Sequence, residues 1–177
     1  EQLISILPFE SFNLRLLIDK VSIKDVEDLK ENEYNPGGST PLYDAIGFGI
    51  SSIRKEVTDN DSVLVTIITD GEENSSREYS GKAIAASIDE LKQKGWLFTY
   101  IGANQDAVKV AKAMNISNAL NFEQDEEGTM EMFRRERKSR ERFFEKTASF
   151  LGLGKAFAIE ARKEIACEDS YFEDTDK

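Results

Sequence analysis

The 177 residues include no histidine and a single cysteine, Cys167. Without histidine there is no Ser–His–Asp triad, no Cys–His pair and no imidazole base. One cysteine excludes an internal disulfide and any Cys-rich zinc or iron–sulfur site. Beside an acidic tail that cysteine reads as inert. Long apolar runs are missing too, because no stretch approaches the ~18–20 residues of a membrane span. The opening EQLISILPF lacks a basic lead and a small-residue cleavage pattern, so it is not read as a signal peptide. A cytoplasmic, reducing setting is the expectation, which makes the Asn74 and Asn115 sequons chance matches. Negative charge is what abounds: 34 acidic against 23 basic residues, a net charge of −11. A polyanion would be repelled overall, which argues against nucleic-acid binding. Carboxylate, hydroxyl, lysine and backbone chemistry remain, in a length that suits one domain or one domain with an appendage.

Hydrophobic periodicity divides the chain. Leu3–Phe9 and Leu14–Val21 are short apolar runs around a polar turn, Glu10–Asn13, and predict a hairpin. From Pro41 the residues Leu42, Ala45, Ile46, Gly49, Ile50 and Ile53 recur at helical spacing, with Thr40 expected as N-cap and Pro41 at the first helical position. Ser62–Thr69 is a continuous β-branched run, the pattern of a strand buried on both faces. A helix with Ile84, Ile88 and Leu91 on one face follows, closed by Gly95. Then come a strand Trp96–Ile101, a short helix Asp106–Met114 and a short strand Ala119–Phe122. This alternation predicts an α/β fold, a mostly parallel sheet with helices on both faces.

The C-terminal third differs. Glu126–Phe133 starts a helix, but Arg134–Arg142 (RRERKSRER) holds no apolar side chain. A helix polar all round is expected to project into solvent, bridge to a partner or fray. Residues 131–146 carry seven basic and four acidic side chains, net +3, which leaves net −14 for the remainder. This segment reads either as a solvated helix laced with ion pairs or as a docking stripe for an acidic partner, the chain's own tail included. Residues 156–166 regain helical character before an acidic end, EDSYFEDTDK.

Ligands of an open parallel sheet bind outside the carboxyl ends of its strands. Three segments are expected there: Asn35–Pro41 with Gly37, Gly38, Ser39 and Thr40; Thr69–Asn74 with Asp70, Gly71, Glu72, Glu73 and Asn74; and Gly102–Asp106 with Asn104. A carboxylate and hydroxyls around a small cavity suit Mg²⁺, a hard cation that keeps several waters. An aspartate after a strand serves equally well as a helix N-cap, and both readings stand on these residues alone. Two other motifs fail. Ser52-Ile53-Arg54-Lys55 fits the Ser-x-x-Lys of acylating enzymes without its companion motifs, and Gly152-Leu153-Gly154-Lys155 lacks the spacing and hydroxyl of a phosphate loop.

The runs GGSTPLYDAIGFGI, VLVTIITDGEENSS and GWLFTYIGANQDA, in that order, resemble the von Willebrand factor A domain, especially its bacterial and phage cytosolic branch. The resemblance covers about residues 1–125 and implies a doubly wound sheet carrying a metal-ion-dependent adhesion site. It implies that Thr40 and Asp70 coordinate Mg²⁺ (or Mn²⁺ or Ca²⁺), with Gly37, Gly38, Ser39, Gly71, Glu72, Glu73, Asn74 and Asn104 forming the ligand-binding rim. A partner protein's carboxylate would complete the coordination sphere.

The family's first loop, central strand and first helix are missing. No Asp-x-Ser-x-Ser loop occurs, and the sequence opens at what would be the family's second strand. A sheet without its middle strand leaves unpaired backbone groups, so that strand is expected upstream, from the C-terminal apolar segment, or from a second chain, the first being favoured. Without such a loop, Thr40 and Asp70 supply one charge and two ligands, and cation binding would be weak or absent.

The expected organisation is therefore an α/β domain over 1–125, a helical extension over 126–166 and an acidic tail over 167–177. The expected function is non-enzymatic protein binding, with no nucleic acid and no membrane, and with self-association through 126–166 as a second mode. The rivals are a metal-dependent hydrolase or phosphoesterase using Asp70 with Glu72 or Glu73, and an oligomerising subunit whose metal site is vestigial.

Overall fold

The computed structural model describes residues 1–10, 14–30, 33, 37–103, 106–150 and 152–173. Two compact units emerge: Glu1–Lys55 with Glu72–Ser80, and Glu56–Gly71 with Gly81–Lys177.

In the first unit, β1 (Leu3–Ile6) pairs antiparallel with β2 (Ile18–Ser22), setting Leu3 opposite Ser22 and Ile6 opposite Ile18. This is the expected hairpin with shorter strands; Ser11–Asn13 of its turn lie outside the described residues. The helix α1 (Leu42–Ile53) buries Leu42, Ala45, Ile46 and Ile50, the stripe that its periodicity selects.

The second unit is a mixed α/β body. Its strands are β3 (Leu64–Thr69), β4 (Leu97–Ala103) and β5 (Asn118–Phe122), and its helices are α2 (Gly81–Lys92), α3 (Ala107–Ala113), α4 (Glu126–Ala148) and α5 (Lys155–Cys167). The strands form a parallel sheet in the order β3-β4-β5, with Val65 beside Phe98 and Ile101 beside Leu120. Every residue of β4 is buried. Strand side chains alternate between faces, so the sheet is covered on both. On one face Leu97 and Ile101 join Leu120, Met132, Phe143, Ile165, Tyr171 and Phe172 in one core cluster.

The expected two-sided burial of Ser62–Thr69 is therefore corrected: β4 is the strand that has it. Among the described residues β3 pairs only with β4, and Ile68 is 40% exposed. Burial follows position in the sheet: β4 has a neighbour on each edge and β3 has one. Gly95 does close the α2 segment. Its φ of +83° suits glycine, and a Cβ there would lie 2.7 Å from the Cβ of Arg162 on α5.

The polar stretch of α4 brings the second correction. RRERKSRER neither projects nor frays but continues one 23-residue helix that rests on the core. Met132 and Phe143 bracket Glu136 and Ser139, which are only 5% and 3% exposed. The C-terminal segment makes this possible by offering main-chain carbonyls where apolar side chains are missing. Arg135 donates to the Phe172 carbonyl at 2.9 Å and Arg142 to that of Tyr171 at 3.0 Å, while Lys146 pairs with Glu168 at 3.2 Å. Residues 168–172 thus meet three of the segment's basic side chains, while Arg134, Arg137 and Arg140 pair with acids of α4 itself, so each of the two sequence readings is met in part. Burial pushes the Glu136 carboxyl above its usual range, and Arg140, 3.4 Å away, opposes that shift.

Asn118 clamps the same tail from β5. Its amide nitrogen donates to the Glu168 carbonyl at 2.9 Å, and its oxygen accepts the Tyr171 N–H at 3.0 Å. Asn118 is 2% exposed, so an alanine there would strand both main-chain groups. Asn118→Ala is expected to cost about 2–3 kcal/mol of stability in urea unfolding. The same substitution should raise amide exchange across residues 168–173.

Candidate functional site

Leu42 opens α1 with Pro41 as the capping residue, and no side-chain hydrogen bond caps the helix from that position. Thr40 is not the N-cap, contrary to expectation. The main-chain donors of the first turn are instead served by the segment after β3. Glu73 Oε2 accepts the Tyr43 N–H at 3.0 Å and Ser76 Oγ accepts the Asp44 N–H at 3.1 Å. A carboxylate at a helix N-terminus also meets the positive end of the helix dipole.

The exchange runs both ways. Asp44, buried in α1, accepts main-chain N–H groups from Arg77 at 2.8 Å, Glu78 at 2.9 Å and Tyr79 at 2.8 Å. Glu73 accepts three more donors besides Tyr43: the Ser75 N–H at 2.9 Å, the Ser76 N–H at 2.8 Å and the Ser76 hydroxyl at 2.7 Å. Thr40 and Asn74 close the far end. The Thr40 N–H donates to Asn74 Oδ1 at 2.8 Å, and the Asn74 N–H donates to the Thr40 carbonyl at 3.2 Å. Gly47 completes the fit, since a Cβ there would lie 2.5 Å from the Tyr79 ring.

The expected rim residues Gly37, Gly38, Ser39, Thr40, Glu72, Glu73 and Asn74 all belong to this first unit. Gly37, Gly38, Glu72 and Asn74 are exposed, Ser39, Thr40 and Glu73 half-buried, and Gly38 takes a φ of +80°. Asp70 and Gly71 belong to the second unit. Asp70 is exposed at the carboxyl end of β3 and accepts the Gln124 amide at 3.0 Å, which joins the exits of β3 and β5 across that of β4. The Gly71 N–H donates to the Thr69 hydroxyl at 3.2 Å. Asn104 lies outside the described residues. Its neighbour Asp106 caps α3 by accepting the Lys109 N–H at 3.0 Å. Two open grooves, of about 440 and 540 Å³, border Ser117 at the amino end of β5, the edge opposite Asp70.

Sequence reasoning missed Asp44, Ser76 and Gln124. Asp44 had a signal, a carboxylate set between Leu42 and Ala45 on the buried stripe. Ser76 and Gln124 had none, because their partners lie 32 and 54 residues away.

The donor set bears on the cation. Thr40 and Asp70 offer one hydroxyl and one carboxylate, and an oxygen of that carboxylate already takes the Gln124 amide. Among the described residues no three histidine, cysteine, aspartate or glutamate side chains gather as metal ligands would. Neither Thr40 nor Asp70 by itself fits a tightly held dication, which needs more charge and more oxygens.

Electrostatics mark Asp44 and Glu73 as structural anions. Burial pushes both carboxyls up, but the donors facing them outweigh it and hold both below their usual values: the Arg77, Tyr79 and Glu78 N–H groups for Asp44, and the Ser76 hydroxyl and N–H with the Tyr43 and Ser75 N–H groups for Glu73. No family model, curated protein or solved structure matches this chain. The likeness to the von Willebrand A domain rests on the motif residues alone.

A carboxyl held low when folded contributes stability that is present above its unfolded pKa and lost as pH falls through the folded value. The wild type should therefore lose stability below about pH 4, beyond what its exposed acids explain. Asp44→Asn, which keeps one acceptor oxygen, is expected to cost about 2 kcal/mol at pH 7 and to flatten that acid limb. Urea unfolding at pH 7 and pH 3.5 checks both statements.

Proposed function

We propose that this chain is a non-enzymatic protein-binding module of doubly wound, von Willebrand A-type architecture that presents the rim Gly37–Thr40 and Glu72–Asn74 to a partner. One observation carries the proposal: Glu73, one of the two glutamates that the hydrolase reading would pair with Asp70, spends both oxygens on four donors that fix the loop. A carboxylate so engaged and held ionised is a poor general base, which weighs against the hydrolase reading. What the lock leaves is an ordered, exposed polar rim of glycine backbone, Glu72 and Asn74. Ordering a surface before binding lowers the entropy cost of recognition.

The rim contains no basic residue, so a carboxylate-bearing partner needs a cation alongside it. The cation's own affinity for the chain is weak, because Asp70 is the one charge that the resemblance assigns to it.

Titration with Mg²⁺ should give heat only in the millimolar range, and none in Asp70→Ala. A generic phosphoester with Mg²⁺ or Mn²⁺ should turn over no faster than in buffer. Immobilised protein should retain a polypeptide from its native cell extract in millimolar Mg²⁺ and lose it on Glu72→Lys, a substitution at an exposed position. Phosphoester turnover that vanishes in Asp70→Ala would replace this reading with the hydrolase. Retention unaffected by Glu72→Lys would move the binding surface elsewhere.

A further inference from the structure

Along α4 the residues Glu126, Met130, Phe133 and Arg137 are spaced four, three and four apart, which holds them on one stripe. This stripe is distinct from the buried one through Met132, Glu136, Ser139, Phe143 and Thr147, and all four of its members are exposed. Met130 is 67% and Phe133 54% exposed, a pair of large apolar side chains in water, with an acid at one end and a base at the other. The order acid, apolar, apolar, base is its own complement when reversed.

We propose that α4 pairs antiparallel with α4 of a second copy of this chain, about a two-fold axis between Met130 and Phe133. That axis sets Met130 of each copy against Phe133 of the other. Glu126, four residues before Met130, then meets Arg137, four residues after Phe133, and the contact occurs twice. Parallel pairing would place Glu126 on Glu126 and Arg137 on Arg137, so charge selects the antiparallel arrangement. Arg137 is free to change partner, since its contact with Glu141 is a 4.0 Å pair between well-exposed side chains. The same register sets the net +3 segment 131–146 of each copy against the acids Glu123, Asp125, Glu126 and Glu127 of the other, a local attraction that opposes the overall repulsion between two chains of net −11. A self-complementary patch closes as a dimer and does not propagate. This inference stands apart from the rim of the first unit.

Sedimentation equilibrium of the whole chain tests it. The weight-average mass should climb from 20.0 kDa toward twice that value between micromolar and submillimolar concentration, and less steeply in high salt. Phe133→Asp should weaken association about tenfold or more without changing the circular dichroism. Arg137→Glu should weaken it about tenfold, and combining it with Glu126→Arg should restore association to within about threefold of wild type, because both contacts are rebuilt in reverse. Such a rescue separates a paired helix from a merely sticky surface. A mass of one chain at every concentration would overturn the proposal. So would association that survives Phe133→Asp, or a reversed pair that fails to rescue it.

Discussion

Asp44 accepts three consecutive main-chain N–H groups, and the geometry of the first unit depends on that acceptance. An irregular segment such as 72–80 has no ladder partners, so its donors need acceptors from elsewhere or must face water. Asp44 supplies one acceptor group from inside α1, and Glu73 returns the service to the first turn of α1. Each carboxylate thereby stabilises the element that the other belongs to. Charge strengthens these bonds beyond neutral ones, and partial burial protects them from screening. The Thr40–Asn74 pair and the Tyr79 ring over Gly47 follow from this lock, because each requires the segment to be held at one height along the helix.

The second unit uses the same device with different residues. Asn118, Arg135 and Arg142 bond the main chain of the C-terminal segment, which in turn lets Tyr171 and Phe172 enter the core cluster. Guanidinium groups suit this work, since several donors on a rigid plane can meet carbonyls that no strand would reach. The arginine of α5 follows suit: Arg162 is buried and donates to the carbonyls of Asp59 and Asn60. Irregular backbone in both units is thus held by long-range side-chain bonds, each linking segments distant in sequence.

That distance explains what could be read from the sequence. Elements that depend on their own periodicity were legible: the hairpin, the α1 stripe, the α2 face through Ile84, Ile88 and Leu91, the stop at Gly95, and the parallel strands. The cap of α1 was not, because Thr40 has the right chemistry for it while the actual acceptors, Glu73 and Ser76, arrive after a complete strand. The path of α4 was misjudged for a related reason. Its polar run lacks apolar side chains, and nothing nearby announces that the carbonyls of Tyr171 and Phe172 will meet Arg142 and Arg135. Ser62–Thr69 looked like the buried centre because burial was inferred from composition, whereas neighbours on both edges decide it, and β4 has them. Within the candidate site, Thr40 and Asn74 are bonded to each other, a contact between two of the three loops set side by side in the sequence reading. The role of Glu73 as a spent acceptor could only come from geometry.

The composition of β3 has a consequence for handling the protein. Leu64–Thr69 is β-branched at every position after Leu64, carries no charge and no proline, and has one sheet neighbour among the described residues. Exposed sheet edges are normally guarded by a charge, a proline or a bulge, and this strand offers none in its own sequence. Short segments of this composition are those that stack into cross-β fibres when partly unfolded chains meet. Mutual repulsion at net −11 is then a main protection against fibre formation, and that protection fades as pH approaches the isoelectric point near 4.6. Asp44 and Glu73, held ionised by their donors, give way only at still lower pH, so on acidification colloidal solubility fails first and folding stability follows.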